Sequence, residues 1–432
     1  MDKHIIMYQL FLRMFTKDGT LKAAEERLSE VKNTGANVLY LCPFFTSDES
    51  PDGWSERQVK SGMNNPKNPY RIKDYYNVDP EYGTAADLKS FVKKAHSLGM
   101  KVLFDLVYMH CGPQAEFITT NPDFVERTEN GEIVYNHYHF PVINFKSHAL
   151  REYLFSNMEY LIKEFDADGF RCDVGDAIPL DFWKEAKQHI KKCKSDIIML
   201  NEGMNSDYLS VFDLNYSIPF NSAAAEAYTK GESAEKIKNT HIEWTQKNGG
   251  EGRCRYYLDN HDTASDCYYD RYEKLLGSQG MENVLFMIYT LDGIPMLYNG
   301  NEVCDISRHS LWSNKEYGGL HINWNNEASA HQRLDFLEKM TKIRLNSEAL
   351  CCGKLTWLDT DNNKNILTYI RESNNERFAV IINIRNSVQN VSIPLRLQGE
   401  VIIGKGISQH FEEKQLVVSA KPYAYELIKL ND

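Results

Sequence analysis

The chain lacks most of what would tie it to a membrane, a nucleic acid or a metal. Its longest apolar stretch, residues 284–298, is broken by Asp292, Gly293 and Pro295 and is too short to span a bilayer. Acidic residues outnumber basic ones by 60 to 49, a net charge of −11. Nucleic-acid binding needs basic stripes that displace counterions, so the acidity reads as a solvated surface. Nine cysteines show no CxxC pair or other metal-ligand spacing, and only Cys351 and Cys352 stand close together. Cys42, Cys172 and Cys304 sit in or beside apolar runs and read as small buried hydrophobes, which implies a reducing, cytoplasmic setting. The N-terminal apolar stretch is interrupted by Gln9 and Arg13, follows Asp2 and has no small-residue cleavage site, so no signal peptide is expected. No GxGxxG or glycine-rich phosphate loop follows a candidate strand, which weakens a dinucleotide site, and no cofactor is expected.

What is present is a large apolar and aromatic stock, 42% and 12% of the chain, enough for two or three domains. Eight short apolar runs precede residue 300: 5–11, 38–43, 102–107, 169–173, 197–201, 211–214, 255–259 and 294–298. Amphipathic segments with helical spacing lie between most of them, among them 21–34, 85–98 and 149–165. Strands alternating with helices imply a parallel sheet, and eight units fit a closed barrel better than an open one. The fold class expected is therefore α/β, a (β/α)8 barrel. Residues 111–147 break the rhythm, being rich in Pro, Asn, His and Tyr, and read as a small domain inserted after the third strand. After Ser347 the period changes to two, through 366–371, 378–384, 388–394 and 423–430, which implies an antiparallel β-domain. The expected limits are 1–107 with 149–347 for the barrel, 108–148 for the insertion and 348–432 for a C-terminal β-sandwich.

Four of the apolar runs end in acid or amide chemistry: VLFDLVYMH at 102–110, GFRCD at 169–173, IMLNEG at 198–203 and YYLDNHD at 256–262. Carboxylates at the C-terminal ends of barrel strands converge on one mouth. A pair of them facing one bond is the equipment of glycoside hydrolysis, and retention needs the two about 5 Å apart. Asp173 follows Arg171 by two, on the same face of a strand, where the guanidinium is expected to keep it ionised. Glu202 ends an apolar strand, where desolvation favours the protonated acid. A lone strand-end acid is ordinarily a helix cap. Three of them, on strands four, five and seven, outweigh that.

These segments resemble the four signature regions of the α-amylase family, glycoside hydrolase family thirteen. DYYNVDPEYGT at 74–84 and GIPMLYNGNE at 293–302 extend the resemblance over nearly the whole chain. It implies a retaining α-glycosidase acting on soluble α-glucan oligosaccharides, α-1,4-linked, by double displacement. Asp173 then matches the nucleophile, Glu202 the general acid/base and Asp262 the third acid, which grips and distorts the sugar. His110 and His261 match sugar-binding histidines, Arg171 the residue that orients the nucleophile, Asp105 a supporting acid, and Tyr70 a ring that stacks on the sugar.

Three departures qualify the resemblance. Met109 stands where the family pattern has an asparagine that ligates calcium, and a thioether is a poor ligand for a hard cation. The loop 46–53 carries Asp48, Glu49 and Asp52 without the family's alternating spacing, so they read as surface acids and no metal is expected. Asp176-Ala177 replaces a Lys-His pair that supports sugars beyond the cleaved bond, and Trp54, Tyr108 and Trp312 are expected to line a short pocket. The acceptor stays open between water, another sugar, phosphate and an isomerised sugar. A non-catalytic glycan binder would be expected to have lost one of the acids. A metal-dependent barrel hydrolase would need a histidine cluster that His110 and His261 do not supply.

Overall fold

Short buried runs, mostly apolar and of four to six residues, make most of the barrel strands of the computed structural model, which describes residues 3–51, 54–248, 252–265, 270–394, 398–412 and 415–431. Eight parallel strands follow in chain order: β1 (Met7–Leu10), β2 (Val38–Leu41), β3 (Lys101–Leu106), β4 (Gly169–Cys172), β5 (Ile198–Asn201), β6 (Asn215–Tyr216), β7 (Cys254–Tyr256) and β8 (Ile294–Tyr298). They pair in the order β5-β4-β3-β2-β1-β8-β7-β6, and a parallel bridge between Leu200 and Leu214 brings the two ends together. The result is the α/β barrel expected.

The sixth strand differs from expectation. Val211 has αR backbone at the end of a short 3-10 helix, and Val211 and Phe212 are buried anchors that join no sheet ladder. Pairing with β7 begins at Asn215, after the apolar run has ended. The helix between β2 and β3, Ala85–Ser97, starts at a Thr84–Asp87 capping box and buries Leu88, Phe91, Val92 and Ala95. The segment expected as one helix over 21–34 forms two, Leu21–Glu26 and Leu28–Asn33, which meet at Arg27.

Residues 108–148 carry isolated bridges instead of regular strands, His110 with Val142, Val125 with Ile143 and Tyr135 with Pro141. The C-terminal part is a six-stranded antiparallel sheet of β9 (Lys354–Trp357), β10 (Ile366–Glu372), β11 (Arg377–Asn383), β12 (Gln389–Ile393), β13 (Gly399–Glu412) and β14 (Gln415–Leu430). One face, with Tyr369, Val380, Ile382 and Leu427, joins the barrel core; the other buries Ile370, Ile381, Val418 and Ile428 in a second cluster. β14 pairs with β12 in its first half and with β11 in its second, while β13 follows it along its length.

Candidate active site

Strand register builds the floor of the mouth. Asp105 on β3 stands opposite Arg171 on β4, and Arg171 Nη1 donates to Asp105 Oδ1 at 2.6 Å. Two residues on, Asp173 leaves the strand on the same side, and the same Nη1 reaches its Oδ1 at 2.9 Å. The neighbouring β5 ends at Asn201, so Glu202 enters beside Asp173, with Oε2 2.5 Å from Arg171 Nη2. Glu202 Oε2 also accepts from the amide of Val174 at 3.0 Å. That amide points there because Val174 has left-handed backbone, φ 41° and ψ 45°, an unusual state for a β-branched residue.

A chain of hydrogen bonds fixes the histidine beside this cluster. The backbone N–H of His261 donates to Gln9 Oε1 at 3.3 Å, so the amide nitrogen of Gln9 faces His261 Nδ1, at 2.6 Å. Nδ1 therefore accepts, and Nε2 carries the proton, 2.7 Å from the Tyr70 hydroxyl. Tyr70 donates onward to Asp105 Oδ2 at 2.9 Å, where Tyr40 also donates at 2.7 Å. Asp262 Oδ2 lies 3.4 Å from His261 Nε2, with 40% of its side chain open to the mouth. His110 Nε2 meets the carbonyl of Tyr70 at 2.9 Å, and Phe140 packs on its ring.

Above the floor opens a cavity of about 480 Å³ whose wall includes Tyr70, His110, Asp173, Glu202, His261 and Asp262. Arg171 and Asp105 are fully buried beneath it. The geometry thus brings together Asp105, Arg171, Asp173, Glu202, Asp262, His110, His261 and Tyr70. The family model described as "Alpha amylase, catalytic domain" matches residues 9–130 and 124–344. The chain belongs to the α-amylase family. It is an enzyme of the glycosidase type, and a second model, "Maltogenic Amylase, C-terminal domain", matches residues 355–426.

Within the family, the cyclomaltodextrinase of Geobacillus thermopakistaniensis is 24% identical over 444 residues, covering 95% of this chain and 70% of its own length. Two crystal structures share the fold. An α-amylase from Lactobacillus plantarum gives a TM-score of 0.81 at 22% identity over 99% of both chains. A noncanonic maltogenic α-amylase from Thermotoga neapolitana gives 0.79 at 24% identity, covering 99% of this chain and 97% of that one.

Electrostatics depart from the sequence expectation at Asp173. Burial pushes its carboxyl well above the usual range, and Arg171 opposes this without overcoming it, because Glu202 and Asp105 crowd the same guanidinium. Asp105 is raised by burial in the same way. Burial lowers His110 to about 4 and His261 well below its ordinary value, so both rings are neutral at pH 7.

The aromatic expectations divide. Trp312 lines the cavity, with the Arg57 guanidinium 5.9 Å over its ring, whereas Trp54 does not line it. Tyr108 is buried behind the site, parallel to Trp183, and donates to Asn157 at 2.5 Å. Tyr70 stacks on His261, its ring at 16° and 5.3 Å. Residues not foreseen also line the wall, among them Tyr138 and Phe140 from 108–148, with Met204 and Ile218 beyond β5 and β6. Met204 stands two residues after Glu202 and Ile218 two after Tyr216, so the strand-end rule could have found both.

The calcium that the family resemblance raises does not fit here. Asp48 is fully buried, not a surface acid; its carboxylate pairs with Arg71 at 3.5 Å and accepts from the amides of Ser50 and Gln114 at 2.6 and 2.5 Å. A guanidinium supplies the positive charge at Asp48, and Met109, where the family pattern has asparagine, offers only sulfur. Asp52 lies outside the described residues. Among the described residues no three His, Cys, Asp or Glu side chains cluster as a metal would need.

Proposed function

We propose that this enzyme hydrolyses short α-1,4-linked glucan oligosaccharides with retention of configuration, Asp173 serving as nucleophile, Glu202 as general acid/base and Asp262 as the acid that grips the sugar. The observation that carries this reading is the Arg171 guanidinium held between Asp173 and Glu202 at the floor of the cavity. A retaining enzyme needs one proton on the pair at the first step, on the acid, with the nucleophile ionised. Asp173 and Asp105, both raised by burial, share the Arg171 guanidinium with Glu202, so the proton is held within one coupled set. Asp173 then attacks the anomeric carbon while Glu202 gives its proton to the leaving oxygen. Glu202 next takes a proton from the water that releases the sugar. Asp262, open to the mouth, offers hydrogen bonds to hydroxyls of the reacting ring, while neutral His261 and His110 hold Tyr70 in the wall beside it.

A short substrate suits a cavity of about 480 Å³ walled at one side by Trp312 with Arg57 and at another by Tyr138 and Phe140. The relatives named above include a cyclomaltodextrinase, whose name denotes action on a small α-glucan. No described helix is long and apolar enough to cross a membrane. Support for a cytoplasmic setting comes from Cys42, Cys111, Cys172 and Cys254, buried thiols without a disulfide.

Proton NMR during hydrolysis of maltotriose tests the chemistry: the α-anomer must appear first. Initial release of the β-anomer would show inversion and remove Asp173 from its role. Product chromatography on maltotriose and on soluble starch tests the size, with higher kcat/KM expected on the short substrate. Comparable rates on starch with early long products would refute it.

A further inference from the structure

Asp176 belongs to the turn after β4 yet spends its carboxylate on the loop after β5. Its Oδ1 accepts from Asn201 Nδ2 at 2.8 Å, and its Oδ2 accepts from the amides of Met204 at 2.6 Å and Asn205 at 2.8 Å. These attachment points flank Glu202 on both sides in the chain. Glycines make the approach possible. A methyl group at Gly203 would strike the Asp176 carboxylate and the Asn201 amide, and one at Gly175 would strike Asn201 Oδ1. From the far side, Asn201 Nδ2 donates to Asn215 Oδ1 at 2.9 Å and Asn215 Nδ2 to the Asn205 carbonyl at 3.2 Å, so the loop is held from two directions.

A carboxylate that accepts backbone amides is often only a loop brace. Here the braced backbone carries Glu202, whose Oε2 must meet both Arg171 and the Val174 amide, and Val174 lies two residues before Asp176 in the same turn. The geometry points to Asp176 as a positioning residue for the general acid/base. It ties the loop of Glu202 to the loop of Asp173, so that the two carboxylates keep one relative placement. This rests on the reading of Glu202 as the acid/base.

The test compares maltotriose, whose leaving sugar needs a proton, with α-maltosyl fluoride plus azide, whose leaving group and incoming nucleophile need neither acid nor base. A misplacement near 1 Å costs about 10²-fold. D176A is therefore expected to lose about 10²-fold in kcat on maltotriose and less than about threefold with the fluoride and azide, at nearly unchanged KM. D176N keeps an oxygen for the Met204 and Asn205 amides and is expected to fall between wild type and D176A, which keeps the test open if D176A folds poorly. G203A, which displaces the carboxylate, should show the same split between substrates. E202Q is measured in parallel. Absence of the split in E202Q would sink the acid/base reading itself. A split in E202Q, with equal loss or no loss on both substrates in D176A, D176N and G203A, would overturn the role of Asp176.

Discussion

Arg171 Nη2 lies 2.5 Å from Glu202 Oε2 while its other terminal nitrogen serves Asp173 and Asp105. A planar fork can span these groups; a lysine ammonium is a single point charge and cannot. R171K is expected to lower kcat on maltotriose by roughly 10²-fold or more, with little change in KM, in a protein whose far-ultraviolet circular dichroism is unchanged. Activity within a few-fold of wild type would mean that the fork is dispensable.

Asp173→Asn is expected to abolish turnover, by on the order of 10⁴-fold, and to raise Tm by about 1–3 °C at pH 7. The folded carboxyl is raised by burial, so its ionised form costs stability once pH exceeds the ordinary aspartate range, and the cost grows until the folded pKa is passed. The Tm gain should therefore vanish near pH 3, below that range. Scanning calorimetry at several pH values checks both parts; a lower Tm for D173N at pH 7 would contradict the sign.

Asp292 provides the opposite case, away from the mouth. Burial alone would raise it, but His241 at 2.9 Å holds its carboxyl well below the usual range. His241 in turn receives the Trp357 indole N–H at 3.1 Å, which connects this pair to the C-terminal sheet. The stabilisation is fully present above the ordinary aspartate range and is lost progressively as pH falls below that range towards the depressed folded value. Asp292→Asn should lower Tm at pH 7 and leave kcat/KM on maltotriose unchanged; the Tm deficit should shrink in acid. A deficit independent of pH would assign the effect to packing alone.

The buried Asp48–Arg71 pair leads to a prediction about metal. Chelator is expected to leave both activity and Tm within error of the untreated enzyme, whereas R71A should cost about 3–5 kcal/mol by leaving a buried carboxylate without its cation. Calcium that raised Tm of the wild type by several degrees would refute this.

Much of the site was legible because a barrel converts strand ends into neighbours. Asp173, Glu202 and Asp262 close apolar runs, Asp105 and Arg171 sit near the ends of such runs, and parallel register does the rest. What was not legible depended on partners far along the chain. Asp48 looked like a surface acid because Arg71, 23 residues away, gives no local signal. Tyr108 looked available to substrate, but Trp183 and Asn157 claim it. The sign at Asp173 was missed because one visible arginine serves three carboxylates, two of them on other strands. β13 escaped because it is largely exposed and has no apolar alternation to read.

The left-handed backbone of Val174 bears on how this enzyme can be improved. A β-branched residue held there stores on the order of 1–3 kcal/mol of strain, and that same geometry aims its amide at Glu202. A screen for thermostability will therefore meet glycine at 174 as an early gain, since glycine adopts this conformation freely. The released strain is the tension that keeps the amide aimed, so the same variant loses turnover. Heat tolerance and speed are set against each other at one peptide bond, and robust catalysts from this scaffold will have to find their extra stability elsewhere.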